Sequence, residues 1–126
     1  MQDSLVPGVT LVATQSHVAQ HTDPITVSRG DIVAVEHEDT EFPGWWWCVA
    51  ADGRAGWVPA ELLRPATDPG RWAQLATDYT ARELTVEPGA ECVVLDARAG
   101  WVFVRAASDA TGWVPASHVA ARAPAT

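Results

Sequence analysis

The pentapeptide Gly-Trp-Val-Pro-Ala stands twice in this chain, at residues 56–60 and 112–116. Two copies of so specific a string in 126 residues mark a tandem repeat. Any fold must therefore be one that about half of the chain can build. Within each copy the string has a local meaning. Trp and Val favour strand, and Pro59 or Pro115 ends the ladder because proline has no N–H to give it.

The remainder of each copy can be laid against the other. Ile25-Thr26-Val27 alternates as a half-buried strand does and matches Leu84-Thr85-Val86. Arg29-Gly30, in a tight turn, matches Pro88-Gly89. Val33-Ala34-Val35 matches Cys92-Val93-Val94, and Trp46–Val49 matches Trp101–Val104. Asp52-Gly53 is a strong hairpin signal, since glycine supplies the positive φ such turns need. Thr26 and Thr85 are 59 apart, Trp46 and Trp101 are 55 apart, and Trp57 and Trp113 are 56 apart. On that alignment the second copy loses four residues in the acidic loop Glu36–Gly44 and gains one in the hairpin turn. Short strands between turns, without helical periodicity, predict an all-β chain. The predicted layout is a lead-in at 1–8, one domain at 9–64, a linker at 65–71, a second domain at 72–121 and a tail at 122–126.

Hydrophobic residues make up 48% of the chain and charged residues 19%, the balance of a packed globular protein. Domains of about 55 residues fold alone but bury only about 60% of their surface, so two joined units are physically sensible. Sixteen acidic residues face eight arginines and no lysine, for a formal charge of −8. The arginines are scattered singly, which argues against nucleic acid as a partner and favours basic ones. Cys48 and Cys92 are too few for a disulfide framework and are expected as buried free thiols, with a single bridge between them left open. The N-terminal residues lack a basic n-region and no apolar run reaches spanning length, so a cytoplasmic protein without membrane contact is expected.

In the order of these elements the chain resembles the SH3 domain, twice. The first copy supplies Ile25-Thr26-Val27, Gly30-Asp31-Ile32, Trp46-Trp47, Asp52-Gly53 and Gly56–Pro59. The second supplies Ala76-Thr77-Asp78-Tyr79, Leu84-Thr85-Val86, Pro88-Gly89, Trp101 and Gly112–Pro115. The resemblance implies two small SH3-like five-stranded β-barrels in tandem, each with an aromatic groove for proline-rich segments. Carried over by position, the groove tryptophans are Trp46 and Trp101 and the groove prolines are Pro59 and Pro115. The family's tyrosine three residues after the proline is replaced by Leu62 and His118. The second copy keeps one tyrosine of the opening motif, Tyr79, whereas the first reads Thr14-Gln15-Ser16-His17 there. The groove is therefore expected to be better preserved in the second copy than in the first.

Other residues invite a sharper reading and a plainer one. Trp45, Trp46 and Trp47 cannot all face one core from an alternating strand, so at least one meets solvent, a partner or the neighbouring domain. Glu36, Glu38, Asp39 and Glu41 could receive a basic residue of a ligand, or be a solvated loop. His17 and His21 are four apart but in a stretch with no helical period, so they read as loop histidines rather than a metal pair. His118, Asp78 and Glu83 form no nucleophile–base–orienter set, and Ser108 and Ser117 read as turn residues. The expectation is a non-catalytic module that binds a proline-rich or basic protein segment, without enzyme activity, metal or cofactor. Two alternatives stay open: a structural module whose tryptophan surfaces are buried between domains or in a homodimer, and a bacterial cell-wall-binding module of SH3 type.

Overall fold

Apolar residues alternate with polar ones along most segments of this chain, and the backbone answers with strands. The computed structural model describes residues 5–20, 23–64 and 71–122. The strands are β1 (Thr10–Ala13), β2 (Thr26–Val27), β3 (Ile32–Glu38), β4 (Trp45–Val49), β5 (Ala55–Pro59) and β6 (Leu63–Arg64). They continue as β7 (Arg71–Leu75), β8 (Tyr79–Thr80), β9 (Glu91–Arg98), β10 (Trp101–Ala106), β11 (Thr111–Pro115) and β12 (Val119–Ala121). Single 3-10 turns at Ala60–Leu62 and Ala116–His118 follow the two repeat prolines. No helix among the described residues is long and apolar enough to cross a membrane. The fold is all-β.

Pairing divides the strands into two five-stranded antiparallel sheets, in the orders β5-β4-β3-β7-β6 and β11-β10-β9-β1-β12, with β2-β8 as a short ladder. The two orders are the same once the repeats are superposed. Membership, however, does not follow the repeats. β1 pairs with β9 and β12, while β7 pairs with β3 and β6. Each repeat's first strand completes the sheet made by the other repeat. The backbone accordingly forms a contiguous unit, residues 21–82, and a composite unit, residues 1–20 with 83–126. This corrects the division expected at 9–64 and 72–121. The predicted linker falls on residues 65–70, outside the described residues, while Arg71 opens β7.

Each unit encloses its own core. In the composite unit Leu11 and Ala13 of β1 pack with Val86, Cys92, Val94, Val102, Val104, Val114 and Val119. In the contiguous unit the buried residues include Ile25, Val33, Val35, Trp45, Cys48, Val58, Leu63 and, from β7, Ala73 and Leu75. Bulk is inverted between the exchanged strands: Leu then Ala in β1, Ala then Leu in β7. The partners follow suit, with Leu75 opposite Leu63 and Ala13 opposite the smaller Val119. Cys48 and Cys92 are both buried and free, in different units.

The hairpins are alike in the two units. Gly53 N–H donates to Ala50 O and Ala50 N–H to Arg54 O, as Asp109 N–H does to Ala106 O and Ala106 N–H to Ala110 O. The residue after each turn sits at positive φ, +88° in Gly53 and +73° in Asp109. Trp45 lies opposite Pro59 and Trp101 opposite Pro115, so Trp101 corresponds to Trp45 rather than Trp46. The second copy has therefore lost three residues, all between β9 and β10, and the hairpin turns are equal in length. The four-and-one count expected from sequence came from choosing the wrong tryptophan of three.

Candidate peptide-binding surfaces

The exchange decides which groove residues meet. Tyr79, in β8, pairs with Val27 of β2 and donates its hydroxyl to Trp57 O at 2.6 Å, which places it in the contiguous unit with Pro59 and Leu62. The tyrosine from the second copy thus belongs to the groove of the first. Trp45, Pro59, Leu62 and Tyr79 are all buried there, Trp45 at 4% exposure and Tyr79 at 8%. Trp46, the groove tryptophan expected from sequence, is half-buried and sits opposite Val58 on β5, one residue out of the register that faces the proline.

The composite unit receives His17 instead. His17 bridges to Val86 as Tyr79 does to Val27, and is 8% exposed. Its Nε2–H donates to Glu83 Oε1 at 2.8 Å, since a carboxylate can only accept. The same oxygen accepts from Gln20 N–H at 3.2 Å. The His17 ring meets Trp101 edge-on at 5.7 Å and His118 edge-on at 5.9 Å between centroids. His118, at the end of its 3-10 turn, donates Nδ1–H to Ser16 O at 3.1 Å. Pro115 is buried between these elements, while Trp101 and His118 are half-buried. The two imidazoles, each held by an acceptor, make a partly polar surface beside Trp101. Sequence assigned His118 and Trp101 to one groove, and the structure brings them together. It missed His17 as their companion because that residue comes from the other repeat, and with it Glu83, which His17 holds.

The acidic loop is used largely on itself. Glu38 Oε2 accepts from Gly44 N–H at 2.9 Å and Asp39 Oδ1 from Glu41 N–H at 3.0 Å. These bonds fold the chain between β3 and β4, and Glu36, exposed on β3, adds negative charge near Cys48. The other titratable candidates are dispersed. Asp78 accepts from Arg29 N–H in the contiguous unit, and Ser108 Oγ from Ala110 N–H in a hairpin turn. His21 lies outside the described residues. Among those described, no group of three or more His, Cys, Asp or Glu side chains could hold a metal ion.

A second aromatic group lies on the outer face of the contiguous sheet. Trp47 and Trp57 face each other across β4 and β5 with centroids 5.1 Å apart, and His37 stacks beside Trp47 at 6.4 Å. Phe103 and Trp113 form the matching pair in the composite unit. Trp72 on β7 is 68% exposed.

Residues 10–66 match the family model described as variant SH3 domain. Over these residues the chain is similar to the SH3 family. The matched span is a sequence repeat, of which β1 lies in one unit and the rest in the other. The second repeat lies beyond that match, and its SH3-like character rests on a sheet of the same strand order. Among curated proteins, the chain is 28% identical to the Drosophila melanogaster SH3 domain-containing protein Dlish over 83 residues, 66% of this chain and 23% of that protein. It is 36% identical to Mus musculus Breast cancer anti-estrogen resistance protein 1 over 59 residues, 47% of this chain and 7% of that protein. The chain thus spans less than a quarter of the length of either relative. SH3 domains are generally non-catalytic modules that bind protein ligands.

Proposed function

We propose that this protein is a non-catalytic interaction module that holds an extended, proline-rich segment of a partner protein against the composite unit. The observation that supports this reading is the difference in exposure between the two SH3 grooves. Trp45, Pro59, Leu62 and Tyr79 are buried in the contiguous unit, whereas Trp101 and His118 stay half-exposed on either side of Pro115. A polyproline helix is preformed, loses little entropy on docking, and presents flat pyrrolidine faces to an indole. Trp101 supplies that indole. The charge of −8 favours segments that carry basic residues beside the prolines.

A titration of the 15N-labelled protein with a proline-rich decapeptide containing one arginine tests the reading. The Trp101 indole and the His118 amide are expected to shift first, and Trp101→Ala to weaken binding at least tenfold while Trp46→Ala leaves it unchanged. Undiminished affinity in Trp101→Ala would remove the groove from consideration.

A further inference from the structure

The two sheets share one strand order, so each outward position in one has a counterpart in the other, and the comparison isolates a face built differently. Directly opposed residues of neighbouring strands share a face. One such row of the contiguous unit runs Trp72, Ala34, Val49, Ala55. The corresponding row of the composite unit runs Thr10, Val93, Arg105, Thr111. Two residues before Ala34 on the same face stands Ile32, 49% exposed, and Glu91 holds its counterpart. Trp47 and Trp57 extend the apolar face by two residues in the other direction. A sheet of this shape does not need an outward Trp and Ile, because the composite unit manages with Thr and Glu. A contiguous apolar face left open at this cost in solubility marks an interaction surface.

Charge beside the face says what covers it. Ile32 also lines a depression of about 360 Å³ with Val27, Ala50 and Ala51, and the carboxyl-bearing residues of that depression are Asp31 and Asp52. Asp31 Oδ2 accepts one bond, from Ser28 N–H, and Asp52 Oδ1 one from Arg54 N–H. Each carboxylate has room for further donors. Arg54 lies 3.1 Å from Asp23 and 3.9 Å from Asp52. In the composite unit the depression of about 260 Å³ beside Ala106 and Ala107 balances its acids, Glu91 and Asp109, with Arg105 and Arg122, and Arg122 lies 3.5 Å from Glu91. A two-fold dimer would set the acidic rim against itself, on a chain already at −8.

We propose that the outer face of β7-β3-β4 is a second protein-binding site, separate from the SH3 groove, and that it takes a basic segment of a partner protein. Apolar side chains of that segment lie on Trp72, Ile32 and Val49, and an arginine or lysine enters the depression between Asp31 and Asp52. Such a pairing joins a desolvated aromatic anchor to charge-assisted hydrogen bonds. It stands independently of the groove reading, since Trp101 and His118 lie in the other unit.

The experiment titrates the 15N-labelled full chain with acetyl-Arg-Leu-Arg-Leu-Arg-Leu-amide and, as a charge control, the same peptide with Glu for Arg. Shifts are expected at the Trp72 indole and the amides of Ile32, Ala34, Val49 and Asp52, from the basic peptide alone. Trp72→Thr and Ile32→Glu install the residues that the composite unit carries at these positions, so each is expected to keep a native spectrum and to bind at least tenfold more weakly. Asp52→Asn keeps the acceptor for Arg54 N–H and is expected to weaken binding several-fold and to flatten its salt dependence. Equal response to the Glu peptide, undiminished binding in both apolar variants, or shifts confined to residues 84–121 would overturn the proposal. Sedimentation that shows the free chain self-associating, and Trp72→Thr abolishing it, would give the face to a second copy and overturn it equally.

Discussion

Cys48 has no exposed surface, and burial, with a smaller push from the charge of Glu36, moves its thiol from 9.0 up to about 12. The thiolate is the reactive form, so Cys48 is expected to resist iodoacetamide at pH 9 in the native protein and to react once urea unfolds it. Burial raises Cys92 as well. The same shift sets a pH dependence. Above pH 9 the unfolded chain ionises its Cys48 thiol while the folded chain keeps it protonated towards pH 12, so stability falls as pH rises through that window. Cys48 contributes a slope of about 1 kcal/mol per pH unit, and Cys48→Ala should reduce the dependence to the part that Cys92 leaves, read in denaturant titrations at pH 8, 9 and 10. A second residue-scale feature lies in the β9-β10 turn, where Ala99 and Gly100 both take positive φ, +40° and +93°. An alanine there works against its Cβ, and Ala99→Asn is expected to stabilise by about 1 kcal/mol, read as a rise in denaturation midpoint.

Much of each element was legible along the chain. The Asp52-Gly53 hairpin, the strand-ending prolines and the alternation of β3 and β9 lie where local chemistry placed them. The register of β4 was not legible, because Trp45-Trp46-Trp47 offers three equivalent side chains and only the pairing with Pro59 selects among them. The glycine that opens each repeated pentapeptide also has a role that sequence did not show. A Cβ on Gly112 would come within 2.7 Å of the backbone of Glu83 and Leu84, whereas on Gly56 it would meet side chains, Ala81 at 2.9 Å and Ile25 at 3.0 Å. Ile25 can change rotamer, Ala81 Cβ moves only with its own backbone, and at Gly112 two backbone atoms stand closer still. Gly112→Ala is thus expected to cost more than about 3 kcal/mol and Gly56→Ala about 1–3 kcal/mol, compared by thermal unfolding.

At the scale of the whole molecule, the exchange of first strands reassigns every core contact of β1 and β7. Leu75 belongs to the second repeat by sequence and to the contiguous core by structure, opposite Leu63 and bonded through its backbone to Gly30 and Asp31. Leu75→Ala should cost about 2–5 kcal/mol. Its chemical-shift changes are expected within residues 23–64 rather than 84–121, and the reverse distribution would show repeats folding as consecutive domains. The groove is rearranged by the same exchange: Tyr79 goes with Pro59 and Leu62, and His17 with Trp101 and His118. Tyr79, which sequence placed with the second copy, thus stands with the first copy's proline, and Trp45 rather than Trp46 lies opposite Pro59.

The amino-acid order alone determined that the chain is all-β and resembles the SH3 domain, because strand propensity, turn chemistry and the twice-occurring pentapeptide are local properties written within a few residues. Only the tertiary structure decided which half completes which sheet. The first strands Leu11–Ala13 and Ala73–Leu75 have the same alternation, and either could pair with either sheet by pattern. Loop-closure entropy changes only slowly with loop length, so it discriminates weakly between the two connections. The choice rests with side-chain volume at Leu11, Ala13, Ala73 and Leu75 against partners tens of residues away, a fit that exists only once the cores are packed.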